Sequence, residues 1–125
     1  MKLLLNTHVL LWWLDDAKQL GVQARACVAD PENLVFVSAA SVWEIRIKAA
    51  LGKLSVPKSF HAVLAKQHFE RLPITWEHAH AVADLPQHHR DPFDRMLIVQ
   101  AMTESLVLVT HDQIVKQYAV ETLFV

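Results

Sequence analysis

Four oxygen-bearing side chains are the strongest candidates for chemistry in this sequence of 125 residues. They are spread widely along the chain, at Asn6, Glu44, Asp94 and Asp112. Asn6 and Asp112 each stand just beyond a short apolar segment, and Glu44 and Asp94 lie in predicted helices. Carboxylate and amide oxygens are the ligands that Mg²⁺ and Mn²⁺ prefer in proteins. If the fold brings these side chains together, they form a site for a divalent cation.

Short apolar segments alternate with helical segments throughout the chain. Strands are predicted at residues 2–5, 34–37, 69–74, 107–109 and 120–125, and helices at 7–14, 19–29, 38–50, 59–68, 75–84, 92–101 and 113–117. Such alternation predicts an α/β fold of three layers, with helices on both faces of a central, mainly parallel sheet. We expect a single domain over residues 1–125, with the last strand at an edge of the sheet.

The predicted sheet also indicates where the four side chains meet. In open sheets of this class, sites lie beyond the carboxyl ends of the strands, where the strand order reverses. Asn6 follows the first predicted strand, and Asp112 follows the fourth. Glu44 lies in the helix after the second strand, and Asp94 lies in the helix before the fourth. Because clustered carboxylates repel one another unless cations or protons neutralise them, we expect a divalent cation at this edge.

Each acidic residue also has an ordinary structural explanation. Asp91 and Asp112 stand where helix N-caps are expected, and a proline follows Asp91 at the first helical position. Asp94, at the third helical position, is favoured by the helix dipole alone. Glu44 completes Ser41-Val42-Trp43-Glu44, the pattern of a capping box. These explanations account for the residues one at a time, whereas an acidic cluster accounts for them as a group.

The histidines and the large apolar side chains are predicted to have structural roles. His78-Ala79-His80 and His88-His89 have spacings that do not face one side of a helix, and no cysteine supports a zinc site. We therefore expect these histidines on the solvated surface. Trp43, Met96 and Met102 are expected in the core.

The composition excludes several classes of protein. Hydrophobic residues make up 53% of the chain and charged residues 20%, which indicates a well-filled core and rules against disorder. The formal net charge is −1, so no basic field covers the whole molecule. A nucleic acid would therefore have to bind a local groove of lysine and arginine side chains.

The cysteine count and the N-terminal sequence predict the cellular compartment. Cys27 is the single cysteine, which excludes an internal disulfide and favours a reducing environment. Asn6-Thr7-His8 interrupts the apolar N-terminus, and Asp15-Asp16 stands where a signal peptide would have its small-residue cleavage site. The apolar stretch is also too short to span a bilayer. We expect a cytoplasmic protein with no membrane association.

Five segments, taken together and in order, resemble a PIN domain. They are Leu3-Leu4-Leu5-Asn6-Thr7-His8-Val9-Leu10-Leu11-Trp12, Ser38-Ala39-Ala40-Ser41-Val42-Trp43-Glu44-Ile45, Leu51-Gly52-Lys53-Leu54, Arg90-Asp91-Pro92-Phe93-Asp94-Arg95 and Thr110-His111-Asp112. The segments are most similar to the VapC-type toxins of bacterial toxin–antitoxin pairs. This resemblance implies a PIN-like fold and a Mg²⁺-dependent endoribonuclease, with Mn²⁺ as a substitute. It also implies a cognate antitoxin, an RNA substrate and a homodimer.

The resemblance also assigns roles to individual residues. The acidic quartet of the family corresponds to position 6, Glu44, Asp94 and Asp112, which would hold the cation. Thr7 and Thr110 would supply nearby hydroxyls, and Asp91 is either an additional acid or only a helix cap. Basic side chains that could follow the phosphate backbone, unless they are only solvated surface charges, are Lys48, Lys53, Arg90 and Arg95.

Position 6 departs from the family, which has aspartate where this chain has Asn6. Asparagine keeps the shape and one acceptor oxygen of aspartate but loses its charge. A pair of unit charges 4 Å apart interacts by about 4 kcal/mol at an effective dielectric constant of 20, although solvation offsets much of this. We therefore expect weakened metal binding and cleavage with an intact fold.

Two other functions remain open at this point. A catalytically silent PIN-like module would still bind an antitoxin, RNA or both. A phosphatase or phospho-acceptor domain would need a nucleophilic aspartate directly after the first strand, where Asn6 stands. The adjacent Trp12 and Trp13 cannot face the same side of their helix, so they either contact a partner or pack inside the monomer.

Overall fold

A computed structural model describes all residues of the chain, 1–125. The five strands are β1 Lys2–Leu5, β2 Leu34–Ser38, β3 Glu70–Leu72, β4 Val107–Thr110 and β5 Thr122–Phe124. The six α-helices are α1 Thr7–Leu14, α2 Val22–Ala29, α3 Ala39–Ala50, α4 Phe60–Ala65, α5 Trp76–Ala81 and α6 Pro92–Glu104, with 3₁₀ turns at Lys18–Leu20, Val82–Asp84 and Gln113–Gln117. Neighbouring strands are all parallel, in the order β3-β2-β1-β4-β5. The predicted parallel sheet with its last strand at an edge is confirmed.

The central strand β1 joins two separate cores. Leu3, Leu4 and Leu5 are fully buried, and successive side chains of a strand point to opposite faces of the sheet. Leu3 and Leu5 belong to the core that includes Val9 of α1. Leu4 belongs to the core that includes Ile98 of α6. Helices therefore cover both faces of the sheet, as the three-layer prediction requires.

Two aspartates cap helical segments, as the sequence predicts. The carboxylate of Asp91 accepts hydrogen bonds from the backbone N–H groups of Phe93, at 2.8 Å, and Asp94, at 3.0 Å. Asp112 accepts one from the N–H of Ile114, at 2.9 Å. Asp91 thereby fixes the start of α6, and Asp112 fixes the direction in which the chain leaves β4.

The capping-box interpretation of Glu44 is wrong. Helix α3 begins at Ala39, and its N-cap is Ser38, whose hydroxyl accepts a hydrogen bond from the N–H of Ala40 at 3.0 Å. Ser41 and Glu44 therefore both lie inside the helix, where they are buried. A buried glutamate inside a helix has no capping role to explain it.

The expected burial of two large side chains is also wrong. Trp43 is 58% exposed and Met102 is 43% exposed, whereas Met96 packs against the second core as expected. The indole of Trp43 meets the ring of Phe93 edge-on, with 5.1 Å between ring centroids. Both residues lie on helices that pack against the core through their other faces. Their apolar side chains alone therefore gave a wrong prediction of burial.

Two helices are shorter than predicted. The segment 19–29 is interrupted at Gly21, whose φ of 78° lies in the left-handed region that favours glycine, so α2 begins only at Val22. The segment 59–68 is helical only over Phe60–Ala65. None of the helices has the length and the apolar character that a membrane span requires.

Helix α6 provides a test of the core assignment. Ile98 is fully buried, and Met102 lies one turn further along the same helix with its side chain exposed. Ile98→Ala is expected to lower the free energy of unfolding by about 2–5 kcal/mol, because the change removes buried methyl groups and leaves a cavity. Met102→Ala, the matched control, is expected to change it by less than about 0.5 kcal/mol. Urea denaturation measures both, and equal effects would contradict the assignment.

Candidate metal centre

The sheet reverses its strand order between β1 and β4. From the central β1 the chain moves outward to β2 and β3, and it then returns to form β4 on the other side of β1. Asn6 directly follows β1, and Asp112 lies just beyond β4. A cavity of about 310 Å³ opens at this reversal, lined by Asn6, His8, Asp94, His111, Asp112 and Gln113. Three of the four predicted side chains therefore line one cavity.

Asn6 is both an N-cap and part of this cavity. Its Oδ1 accepts hydrogen bonds from the N–H groups of His8, at 2.8 Å, and Val9, at 3.4 Å, which start helix α1. Both bonds use the oxygen, so an aspartate at this position would keep them. Asparagine and aspartate would therefore differ here only in charge and in the second terminal atom, which is Nδ2 in the amide and Oδ2 in the carboxylate.

Glu44 lies in an adjoining cavity of about 290 Å³. That cavity shares His8 with the first and is lined also by Thr7, Leu11, Glu44, Ile45, Lys48, Lys53 and Leu54. One carboxylate oxygen of Glu44 accepts a hydrogen bond from the ammonium of Lys48, and this contact raises the pKa of Lys48. The other oxygen, Oε1, is buried and has no hydrogen-bond partner. A buried acceptor left unpaired costs about 1–3 kcal/mol, so this atom needs an explanation.

Asp94 is the carboxylate whose environment is most perturbed. Burial, as the larger cause, and the neighbouring charge of Asp91 raise the pKa of Asp94 from 3.8 to about 6. Glu44 and Asp112 act in the same direction, whereas His89 opposes them. The protein therefore holds an ionised Asp94 at a cost that a nearby cation would remove.

The imidazole of His89 holds Asp112, although His89 was not among the predicted site residues. His89 Nε2 lies 2.7 Å from Asp112 Oδ2 and 3.3 Å from Asp94 Oδ2. Burial acts to raise the pKa of Asp112, but the hydrogen bonds from His89 and from the N–H of Ile114 outweigh it, so this pKa lies below its usual value. One atom from each of His89, Asp94 and Asp112 falls within a cluster no wider than 4.8 Å.

The surface prediction is wrong for two of the histidines. His89 is buried at the site, and His78 is buried in the first turn of α5, where its Nδ1 accepts a hydrogen bond from the N–H of Thr75. The usable signal for His89 was its position two residues before Asp91, a predicted cap at the sheet edge. For His78 the usable signal was its position three residues after Thr75, which is the spacing of a capping box.

The two candidate threonines have hydrogen bonds that already fix their positions. The hydroxyl of Thr110 accepts a hydrogen bond from the N–H of Asp112 at 3.0 Å. The hydroxyl of Thr7 donates one to the Ser41 hydroxyl at 3.2 Å. Thr7 lines the cavity that contains Glu44, whereas Thr110 is fully buried behind Asp112.

The basic residues divide into two groups. Lys48 and Lys53 line the cavity of Glu44, and Arg90 is exposed next to the cap of α6. Arg95 is buried, and its guanidinium donates only to backbone carbonyls. The sequence-based choice between a phosphate contact and a solvated charge is therefore wrong for Arg95, which is an internal structural residue.

The residues present fit a divalent cation. The available donors are carboxylate and amide oxygens, which suit Mg²⁺ and Mn²⁺. The unpaired Oε1 of Glu44 and the raised pKa of Asp94 are the two features of this structure that a cation would relieve. Asp91 spends one oxygen on the two N–H groups that it caps, so it is less free than the other acids.

Comparison with known proteins identifies the family. A sequence model of the PIN domain matches residues 3–121. The chain belongs to the PIN domain family. No curated protein gives a significant match to the full sequence of this PIN domain.

Several solved structures have the same fold as this PIN domain. VapBC2 from Rickettsia felis, bound to a DNA fragment from its promoter, has a chain 12% identical to it, with coverage of 100% and 99% of the two chains and a TM-score of 0.76. FitAcB from Neisseria gonorrhoeae is 22% identical, with coverage of 97% and 96% and a TM-score of 0.63. VapBC-5 from Mycobacterium tuberculosis, a member of the VapBC family of toxin–antitoxin systems, is 18% identical, with coverage of 99% and 97% and a TM-score of 0.58.

The raised pKa of Asp94 predicts how stability depends on pH. Asp94 binds its proton more tightly in the folded chain than in the unfolded chain, so stability falls as the pH rises from about 4 to 6. The difference of roughly two pH units corresponds to at most about 3 kcal/mol. Asp94→Asn is therefore expected to stabilise the metal-free protein at pH 7 by about 1–3 kcal/mol and to flatten this pH dependence.

Urea denaturation at pH 4 and pH 7, in the presence of a chelator, measures the effect. Asp15→Asn is the matched control, because Asp15 is exposed and remote from the cavity. Equal behaviour of Asp94→Asn and the parent protein would contradict the assignment of a strained carboxylate.

Proposed function

We propose that this PIN domain is a metal-dependent endoribonuclease, the toxin of a VapC-type toxin–antitoxin pair, weakened by Asn6. The observation that carries the proposal is the cavity at the strand reversal, where Asn6, Asp94 and Asp112 lie together. A second support is the buried Glu44 with an unpaired oxygen in the adjoining cavity. The single cysteine favours the cytoplasm as the place of action.

The residues proposed to hold Mg²⁺, or Mn²⁺ in its place, are Asn6, Glu44, Asp94 and Asp112. Lewis acidity for hydrolysis of a phosphodiester bond is the chemistry that a bound divalent cation supplies. Asp112, whose pKa is lowered, and Asp94, whose raised pKa of about 6 still lies below neutral pH, are both mostly ionised at pH 7 and supply the negative charge that holds the cation.

The wall of the second cavity carries positive charges that would attract the phosphate backbone of RNA. Lys48 and Lys53 line it, and the ion pair with Glu44 keeps the ammonium of Lys48 charged. Positive side chains beside an acidic centre attract the phosphate backbone toward the carboxylates. Thr7 lies on the same wall, where the hydrogen bond from its hydroxyl to Ser41 ties the start of α1 to α3.

An antitoxin is the proposed protein partner. Trp12 stands at the rim of the first cavity, with its ring centroid 4.8 Å from that of His111 and 6.2 Å from that of His8. Both indoles pack partly against the first core, but Trp13 is also tied within the chain, because its Nε1 donates to Gln67 Oε1 at 3.0 Å. We propose that Trp12, rather than Trp13, contacts the antitoxin.

The proposal of a weakened enzyme is tested at position 6. Asn6→Asp keeps both cap hydrogen bonds, so its effect falls on the charge of the site. We expect it to raise the affinity for Mn²⁺, measured by calorimetry, at least about tenfold and to raise cleavage of a single-stranded RNA at least as much. Gln23→Glu introduces the same charge at an exposed position on α2, outside both cavities, and is the matched control.

Two outcomes would change the conclusion. Equal affinity and cleavage before and after Asn6→Asp would show that the aspartate is not needed and would reject the weakening. Antitoxin binding without metal-dependent cleavage, even in Asn6→Asp, would favour the catalytically silent binding module. That alternative is supported by the missing carboxylate at position 6.

A homodimer is proposed through the face around Trp43. The side chain is 58% exposed, and it borders an apolar cavity of about 600 Å³ that Leu64, Phe69 and Pro73 also line. We expect light scattering to give the mass of a dimer, and Trp43→Glu to shift it toward the monomer because the change buries a charge in the interface. Trp76→Glu, at another exposed tryptophan, is the matched control.

A further inference from the structure

The buried guanidinium of Arg95 holds the loop that precedes α6. Arg95 is only 7% exposed, and its Nη1 donates hydrogen bonds to the carbonyls of Pro86, at 2.9 Å, and His89, at 3.1 Å. Its Nη2 donates to the carbonyls of Val82, at 3.2 Å, and Leu85, at 3.0 Å. A buried charge is tolerated only when such bonds replace its hydration. The guanidinium therefore fixes the path of the loop through four backbone oxygens.

Tyr118 fixes the same loop from the C-terminal segment. Its hydroxyl donates to the carbonyl of Pro86 at 2.7 Å and accepts a hydrogen bond from the N–H of His89 at 2.6 Å. Both backbone polar groups of His89 are thus engaged, one by Tyr118 and the other by Arg95. Arg95 and Tyr118 thus share two attachment points on this loop, the carbonyl of Pro86 and the backbone of His89.

The hydrogen bonds of the His89 ring define its tautomer. Nδ1 accepts a hydrogen bond from the N–H of Asp91 at 3.1 Å, so this nitrogen carries no proton. In the neutral ring the proton then sits on Nε2, which donates to Asp112 Oδ2 at 2.7 Å. A nitrogen that carries a proton cannot coordinate a metal. The ring is therefore placed to hold the carboxylate and not to be a ligand.

We propose that His89 is a positioning residue of the metal centre, whose Nε2–H holds the Asp112 carboxylate beside Asp94 while Arg95 and Tyr118 hold the loop that presents it. The inference rests on the proposed function, because it concerns the same site. Asp112 Oδ1 accepts from the N–H of Ile114, so the bond from His89 fixes the second oxygen of a carboxylate whose first is already fixed. Partners of this kind orient metal ligands and tune their affinity.

The tautomer is tested first, in the unmodified chain. Long-range ¹H–¹⁵N correlation spectra at neutral pH are expected to show the His89 ring with its proton on Nε2 alone, both before and after addition of Mg²⁺. A proton on Nδ1, or loss of the Nε2 proton when Mg²⁺ is added, would overturn the proposal. This measurement needs no variant, so it decides even where a substitution prevents folding.

The positioning role is tested in the Asn6→Asp protein by Mn²⁺ affinity. His89→Leu removes the donor, and we expect it to weaken binding at least tenfold, whereas His89→Gln offers an amide N–H near the position of Nε2 and is expected to stay within about threefold of the parent. His80→Leu, at an exposed histidine on α5, is the matched control. Unchanged affinity in His89→Leu, or an equal loss in His89→Gln, would overturn the proposal.

Failure of this inference can be told apart from failure of the proposed function. If the parent binds Mn²⁺ and the His89 results are as expected, but no RNA is cleaved, then the ribonuclease proposal fails and the role of His89 stands. If RNA is cleaved and His89→Leu binds Mn²⁺ as the parent does, then only the role of His89 fails. Absence of Mn²⁺ binding in the Asn6→Asp protein would overturn both.

Discussion

The repulsion between carboxylates that the fold forces together is the constraint on which the rest of this structure depends. Asp94 is partly buried beside Asp91, and its pKa of about 6 records the cost. The protein contains the repulsion locally with hydrogen bonds from His89 and from backbone N–H groups. It leaves Glu44 Oε1 without a partner. The free energy of unfolding is therefore lowered at the edge of the sheet where a bound cation would raise it again.

The sequence predicted those features that depend on neighbouring residues. The caps at Asp91 and Asp112 use side chain–backbone bonds that span two or three residues, so local spacing was enough to find them. The parallel sheet followed from the alternation of apolar strands and helices. Because parallel strands bring their carboxyl ends to one edge, the meeting of Asp94 and Asp112 was predictable as well.

The features that the sequence did not predict depend on packing between distant segments. Arg95 is internal because carbonyls from residues 82–89 surround its guanidinium, and nothing in its immediate sequence reveals this. His89 is buried because Tyr118, far along the chain, closes the loop over it. Trp43 is exposed although its type suggested a core residue. For Arg95 and His89 the decisive neighbours lie in other segments of the chain, so neither periodicity nor composition could identify them.

The central position of β1 determines when the cavity between β1 and β4 can form during synthesis. Leu4 of this strand pairs on one side with Phe36 and on the other with Leu108, which is 104 positions away along the chain. When only the first hundred residues have been synthesised, Asn6 is present but Asp112 is not, so the cavity between β1 and β4 cannot yet form. Contacts of such long range carry a large loop-closure cost and are slow to form. Whatever this edge of the sheet does to other molecules, a nascent chain cannot do it until β4 and Asp112 have left the ribosome.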